Sequence, residues 1–141
     1  MLKTAPSLPE SSSSILDKNA KILGIDSVNG SELERLKLYR KTVEEIAEIM
    51  FKNRDRRGFG EKFVTTISID LGRIIDGMRK IKRIGKAKEY IEQADVELGI
   101  ALNLYDDLEE PDAEKRLRGR LNAFKNCKNL LDKAILQWPS S

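Results

Sequence analysis

The sequence predicts an all-α protein: an antiparallel up-down-up-down four-helix bundle with a flexible N-terminal extension. Three observations support this prediction. Apolar residues recur at helical spacing through four long segments, and short polar stretches connect these segments. No segment of strand length alternates apolar and polar residues with a period of two. Long helices joined by short connections pack antiparallel to their neighbours, as in up-and-down bundles.

The 141 residues are expected to form one domain, with a core that needs neither a disulfide nor a metal. Residues 1–30 are expected to be a poorly ordered extension, because "TAPSLPESSSS" has the composition of a linker. Within it, the spacing predicts a short helix from Ile15 to Leu23, ended by Gly24. Residues 31–141 are expected to form the bundle.

The first long helix is predicted to begin at Ser31, because Ser31-Glu-Leu-Glu34 has the form of a capping box. It is expected to end near Arg54. The second helix follows "RRGFG", and Gly85 is expected to be its C-cap. The apolar positions are Leu33, Leu36, Val43, Ile46, Ala47, Met50 and Phe51 in the first helix, and Phe63, Val64, Ile67, Leu71, Ile74, Ile75, Met78 and Ile81 in the second.

The third helix is expected to end at "EEPD". Asp112 can cap the fourth helix, and Pro139 is expected to stop it. The apolar positions are Ala87, Tyr90, Ile91, Ala94, Leu98, Ala101, Leu102, Tyr105 and Leu108 in the third helix, and Leu117, Leu121, Phe124, Leu131, Ile135 and Trp138 in the fourth.

Charge is distributed unevenly among these helices, and the stretch "KIKRIGKAKEYIEQADVEL" changes sign at Gly85. Residues 61–88 carry eight bases and three acids, residues 89–112 carry nine acids and no base, and residues 113–141 carry seven bases and two acids. Ion pairs between neighbouring helices are one expected use of the acids. The second helix still has bases that point elsewhere, and they predict a basic edge that binds the phosphates of a nucleic acid. An ordinary solvated basic face is the alternative.

The candidate phosphate-binding residues lie on and around the second helix, with three more on the fourth. They are Arg54, Arg56, Arg57, Lys62, Arg73, Arg79, Lys80, Lys82, Arg83, Lys86 and Lys88, together with Arg116, Arg118 and Arg120.

The third helix has a second apolar stripe. Val96, Ile100 and Leu104 are four residues apart and fall on the side away from the core positions. Because a helix that is apolar on two faces is usually buried on both, this stripe predicts an interface between copies of the chain in a homo-oligomer. Scattered exposed hydrophobic residues are the alternative.

The chain contains no histidine, which excludes Ser–His–Asp and Cys–His catalysis and nearly every zinc site. No phosphate-binding loop or dinucleotide fingerprint is present. We therefore expect neither an enzyme nor a bound metal or cofactor. The single cysteine, Cys127, is expected in the core and fits a reducing compartment. No signal peptide or apolar span is recognisable, so the expected location is the cytoplasm.

The stretch "KAKEYIEQADVEL" (Lys86–Leu98) resembles the third helix of a family of small four-helix bundles. This family comprises the accessory variability determinant of diversity-generating retroelements and the proteins encoded in intervening sequences of 23S rRNA genes. The similarity runs from about Leu33 to Trp138 and includes "RRGFGEKFVTTISIDLGRIIDGMRK" and the tryptophan near the end of the last helix. The resemblance implies a homopentamer shaped as a tapering barrel with a basic surface. It also implies an accessory role, in which the protein binds the retroelement reverse transcriptase and its template RNA and supports mutagenic cDNA synthesis.

Two other classes of function are compatible with some of these features. A helical adaptor or scaffold would bind another protein through the third helix and its acids, without nucleic acid. An enzyme that uses carboxylates or lysines in a cleft of the bundle is the second alternative, but no residue spacing supports it.

Overall fold

The computed structural model describes residues 14–27, 29–54, 59–81, 85–106 and 113–139, without the side chains of residues 59–66, 103–106 and 113–114. Within these ranges every regular element is an α-helix, which confirms the all-α prediction. In chain order they are α1 (Ile15–Leu23), α2 (Glu32–Lys52), α3 (Phe59–Lys80), α4 (Ala87–Asp106) and α5 (Ala113–Leu136). Among the described helices, none is both long enough and apolar enough to cross a membrane. The positions expected for Phe63, Val64, Tyr105, Leu108 and Asp112 lie outside the described side chains.

The predicted start of α2 is confirmed, whereas the predicted end of α3 is wrong. At the start of α2, the amide of Glu34 donates to the Ser31 hydroxyl at 3.1 Å and the amide of Ser31 donates to the Glu34 carboxylate at 3.2 Å, which is a capping box. Helix α4 starts at Ala87, the first of the apolar positions expected in the third helix. Gly85 is not the C-cap of α3, because α3 ends at Lys80. Gly85 has a φ of 51° and its carbonyl accepts from the Lys88 amide, so this glycine belongs to the turn that begins α4.

The core is built from the apolar faces of all five helices. Helix α4 packs against α3 and α5, α5 also packs against α2, and α1 packs against both α2 and α3. The largest fully buried side chains are Tyr39, Phe124, Ile15, Leu16, Leu36, Leu38, Ile46, Ile67, Leu71, Ile74, Met78 and Leu98. Since Ile15 and Leu16 are among them, residues 14–27 pack on the core, whereas residues 1–13 of the expected extension lie outside the described part of the chain.

The N-terminus of α1 is held by Asp70, a carboxylate on α3 that is buried. The first amides of a helix have no partner within the helix. In α1, the amides of Ile15 and Leu16 donate to Asp70 at 2.9 and 3.2 Å, and the Ser14 hydroxyl donates to the same carboxylate at 2.6 Å. The amide of Asp17 donates to the Ser14 hydroxyl. Helix α1 therefore starts where another helix supplies its cap.

Three further polar contacts fix α1 along its length. Arg73 on α3 donates to Asp17 at 2.8 Å, and Lys18 forms an ion pair with Glu45 on α2. Between α1 and α2, the Asn19 side-chain amide donates to the Thr42 hydroxyl at 3.3 Å, and both residues are buried. The helix ends at Gly24, whose φ of 68° is in the left-handed region that favours glycine. The boundaries expected for this short helix agree with the structure.

Asp70 and Asp17 both help to hold α1, and their contributions to stability depend on pH in opposite directions. Burial raises the pKa of Asp70, although its hydrogen bonds act against this, and the hydrogen bond from Arg73 lowers the pKa of Asp17. The contribution of Asp70 to stability is therefore complete below the unfolded-state pKa and is lost as the pH rises through its raised folded-state pKa. The contribution of Asp17 is present above the unfolded-state pKa and is lost as the pH falls through its lowered folded-state pKa.

We therefore predict opposite slopes for Asp70→Asn and Asp17→Asn. The free energy of unfolding, measured with urea between about pH 3 and 7, is compared between each variant and the wild type. The wild-type advantage over Asp70→Asn should shrink as the pH rises, and the advantage over Asp17→Asn should grow. Slopes of the same sign for both variants would contradict the assignment.

Helices α2 and α3 approach closely where Gly77 faces Tyr39. A Cβ atom on Gly77 would overlap the Tyr39 hydroxyl and would lie 2.7 Å from the ring carbon Cζ. Tyr39 is buried and cannot swing away without disturbing the core. Gly72, one and a half turns earlier on the same helix, has no atom within 4 Å of the same position.

We predict that Gly77→Ala lowers the free energy of unfolding by about 1–3 kcal/mol through overpacking. Gly72→Ala is the matched control, and it should raise stability by up to about 1 kcal/mol because alanine is the better helix former. Thermal and urea unfolding measure both effects. In a Tyr39→Phe background the penalty of Gly77→Ala should fall, since the overlapping hydroxyl is gone. An unchanged penalty would place the strain elsewhere.

Candidate nucleic-acid interface

The bases predicted on α3 are partly committed to acids of the same chain. Arg73 donates to Asp17 at 2.8 Å and to the Ser14 hydroxyl at 3.4 Å, so it lies against α1 and is only partly exposed. Arg79 forms two hydrogen bonds with Asp95 on α4, at 2.9 and 3.4 Å. The carboxylate of Asp95 raises the pKa of Arg79. Each of these arginines already has the carboxylate that a phosphate would have to replace.

The corner between α3 and α4 forms a groove of mixed charge, with a volume of about 660 Å³. Its walls carry Arg79, Lys80 and Lys88, but also Glu92 and Asp95. Lys88 lies 3.9 Å from Glu92, one turn along α4. The remaining lining residues are Met78, Ile81 and Ile91. This corner is therefore not a uniformly positive surface.

Lys80 and Lys86 are exposed near this corner, and neither forms a salt bridge with a described carboxylate. Of the other predicted residues, Arg56, Arg57, Lys82 and Arg83 lie outside the described residues. Lys62 lies on α3, but its side chain is outside the described part as well.

The structure brings a second set of bases together between the end of α2 and the first half of α5. This groove, which we name the basic groove, has a volume of about 810 Å³. It is lined by Phe51, Lys115, Arg116, Arg118, Gly119, Leu121, Asn122 and Lys125. Four of these residues are bases, and no described residue lining it is acidic. Within the described chain, Arg116, Arg118 and Lys125 form no salt bridge with a carboxylate.

Helical spacing explains why these bases share one face. Lys115, Arg118, Asn122 and Lys125 follow one another at intervals of three or four residues, so they form a row along α5. The row extends over about 15 Å, from the rise of 1.5 Å per residue. On the opposite side of α5, Phe124 is buried in the core. Arg120, the third base predicted on this helix, is half-buried and does not line the groove.

Phe51 is the contribution of α2 to the basic groove, and Arg54, just after α2, lies against its ring. The helical pattern placed Phe51 in the core, but its side chain is 52% exposed. The guanidinium carbon of Arg54 lies 4.0 Å from the centre of the Phe51 ring, and Arg54 also donates to the Phe51 carbonyl at 2.7 Å. A cation on an aromatic face is a stabilising arrangement. Sequence reasoning assigned a role to Arg54 but missed Phe51 and Lys125.

The second apolar stripe of α4 is on the surface. Val96 is 62% exposed and Ile100 is 44% exposed, whereas Ala94 and Leu98 on the other side of the helix are buried. The side chain of Leu104, the third residue of the predicted stripe, lies outside the described residues. The stripe is thus available for contact, as an interface requires.

Comparisons with other proteins supply no relative: no protein-family model matches the chain, and no curated protein or solved structure is significantly similar to it. The site is therefore interpreted from its own residues.

Cys127 is buried in the core, and burial raises its pKa to about 12, with a further contribution from the negative charges of Glu97 and Asp95. At neutral pH it is therefore a thiol and not a reactive thiolate. In the described part of the chain, no group of three potential ligands is arranged to hold a metal ion.

We predict that Cys127 of the folded chain reacts with iodoacetamide at pH 8 at least about a hundredfold more slowly than in the urea-unfolded chain, because thiolate is the reactive form. The rate of alkylation, followed by mass spectrometry, checks this. Comparable rates in the two states would show that the α5 core opens readily.

Proposed function

We propose that this chain is a non-enzymatic, oligomeric accessory protein that binds nucleic acid through its phosphates. The observation that carries the proposal is the basic groove, in which four bases converge without a described acid. A nucleic acid is a polyanion, and its regularly spaced phosphates match the row of basic side chains on α5 in length and in charge. Along one strand of a duplex, phosphates follow one another about every 3.4 Å. Lysine and arginine side chains that bind these phosphates release condensed counterions.

The energetics favour the basic groove over the α3–α4 corner as the main contact. To bind a phosphate, Arg79 would have to leave Asp95, and the gain of one charge-assisted hydrogen bond is offset by the loss of another. Arg118 and Lys125 are exposed and exchange only water and counterions. Lys80, Lys86 and Lys88 are proposed as a supporting surface, along with Arg73 and Arg79 to the extent that their carboxylates release them.

The contacts between helices support an antiparallel four-helix arrangement of α2–α5. Arg40, in the first half of α2, pairs with Asp132 near the end of α5, whereas Phe51 at the end of α2 shares the basic groove with Arg118 near the start of α5. Similarly, Glu97 on α4 accepts from Asn126 on α5 at 3.3 Å, while the earlier Tyr90 lies near the later Lys133. Contacts of this kind are expected when α5 runs antiparallel to α2 and to α4, which supports the proposed arrangement.

Oligomerisation is proposed through the exposed stripe of α4, of which Val96 and Ile100 are described. The family resemblance adds finer proposals: five subunits, and a role beside the reverse transcriptase and template RNA of a diversity-generating retroelement. A cytoplasmic location is proposed from the sequence, in which no signal peptide is recognisable. A basic groove on each subunit is compatible with an accessory role of this kind.

The proposal predicts steeply salt-dependent binding. If three or four phosphates are neutralised, the affinity for a single-stranded 20-mer should fall roughly 20–50-fold between 50 and 200 mM salt, from a slope of about −0.7 per contact. The double variant Arg118→Gln/Lys125→Gln should weaken binding roughly 10–100-fold at 50 mM salt and should reduce the steepness of the slope by about 1.4. Fluorescence anisotropy with a labelled oligonucleotide measures both quantities.

Lys21→Gln/Lys37→Gln is the matched control, because it removes the same charge from two exposed positions that the proposal does not assign to the binding surface. It should change the affinity by less than about threefold, since charges more than about 10 Å from the bound strand are largely screened. Equal effects of the two double variants would mean that net charge alone attracts the oligonucleotide. An affinity that does not depend on salt would overturn phosphate binding altogether.

The exposed stripe of α4 also favours a second candidate, an adaptor that binds another protein through this acidic helix. Val96 and Ile100 lie on a helix whose first turn contains Glu89 and which carries no base after Lys88. The adaptor would bind no polynucleotide at low salt, and it would lose its partner when Val96 and Ile100 are replaced by serine.

A further inference from the structure

We infer that the basic groove takes single-stranded nucleic acid and stacks one of its bases on the Phe51–Arg54 pair. The inference rests on the proposed function, because the phosphates must first be held by the lysines and arginines of α5. It adds that the ligand presents unpaired bases, and that an aromatic residue on α2 contributes to binding.

The first observation is the exposure of Phe51. A large aromatic side chain at the end of a helix is ordinarily buried, yet the Phe51 ring remains 52% exposed even with Arg54 above it. Met50, the preceding residue, is buried in the core and thus satisfies the apolar pattern of α2. The Phe51 ring is therefore not part of the core, and it lines the basic groove instead.

The second observation is what surrounds the ring. Leu121 gives the groove an apolar patch, while Lys115, Arg118 and Lys125 lie along α5 beside it. Proteins that bind single strands combine these two elements, a positively charged track for the backbone and aromatic side chains on which bases stack. Guanidinium planes stack on bases as well, so the Phe51–Arg54 pair offers two surfaces of the required kind.

The third step concerns duplexes. In a double helix the bases are stacked on each other and only the phosphates and groove edges face a protein. Phe51 could then touch only the sugar–phosphate backbone, and the phosphate contacts of α5 would act alone. A preference for single strands over duplexes consequently reports on Phe51, while the shared electrostatic part reports on α5.

The test uses three probes of equal charge density along a strand: oligo(dT) of 20 nucleotides, a 20-nucleotide abasic strand that has phosphates but no bases, and a 20-base-pair duplex. The wild-type chain should bind oligo(dT) about tenfold more tightly than the abasic strand, as expected for one stacked base. Phe51→Leu keeps an apolar side chain of similar size but removes the aromatic face, and it should abolish this difference. Phe51→Tyr should preserve it.

A second measurement does not depend on the behaviour of Phe51→Leu. Phe51→Trp places an indole in the groove, and its fluorescence should be quenched by oligo(dT) and not by the abasic strand. The wild-type chain, whose single tryptophan is Trp138, provides the baseline.

Each outcome has one meaning. If Phe51→Leu retains the tenfold preference for oligo(dT) over the abasic strand, the stacking inference is overturned while the proposed function stands. If the wild-type chain binds none of the three probes, the proposed function is overturned. If Phe51→Leu instead changes the sedimentation of the chain without changing binding, the groove is an interface between copies and stacking is overturned.

Discussion

The segregation of acidic residues onto one helix determines where positive charge is left on this protein. Residues 89–112 hold nine of the 23 acids and no base. Five of them lie on α4, which packs against α3 and α5, where Asp95 pairs with Arg79 and Glu97 accepts from Asn126. The groove side of α5 faces the end of α2, which contributes Phe51, and not α4. Within the described chain, Arg116, Arg118 and Lys125 of that groove form no salt bridge with an acid of α4.

A second charge constraint acts inside the molecule, where Asp70 is buried between α3 and α1. A buried carboxylate is unfavourable unless its oxygens accept hydrogen bonds, and here Ser14, Ile15 and Leu16 supply them. The amides at the start of α1 would otherwise lack partners, so each side satisfies the other. The same contact draws Arg73 towards Asp17, which removes one base from the surface that faces solvent. The docking of α1 therefore uses one of the bases predicted on α3.

Local signals in the sequence predicted most of the helices, because helical periodicity and caps depend on residues close together in the chain. The capping box at Ser31 and the stop at Gly24 are of this kind. Asp70 was missed although a signal existed: it lies three residues after Ile67 and four before Ile74, in the middle of an apolar face. What periodicity could not supply was its partner, which is 56 residues away at Ser14. Gly85 was misassigned because a left-handed glycine fits the end of one helix as well as the turn before the next.

The candidate site was harder to predict than the fold, because grooves arise between elements that are distant in sequence. Counting charges by segment identified α3 and α5 as basic, but it gave equal weight to bases that the fold pairs and bases that it leaves alone. Phe51 matched the apolar pattern of α2, and only the packing of α5 against α2 shows that the core stops at Met50. Lys125 belongs to the row on α5 because it lies seven residues after Arg118, a spacing that is visible only when the helix faces are known.

Oligomerisation would raise the affinity for a long strand even if each binding site is weak. The proposed interface uses Val96 and Ile100 on α4, whereas the basic groove is formed by α2 and α5, so association through the stripe leaves each groove open. An assembly then presents the same groove once per subunit. When a single long strand spans two grooves, the second binding event is intramolecular and is governed by an effective concentration, which can raise the overall affinity by a factor of 10² or more, roughly, without any new contact. A groove with few phosphate contacts can therefore hold a long strand firmly while each subunit still exchanges short ones quickly.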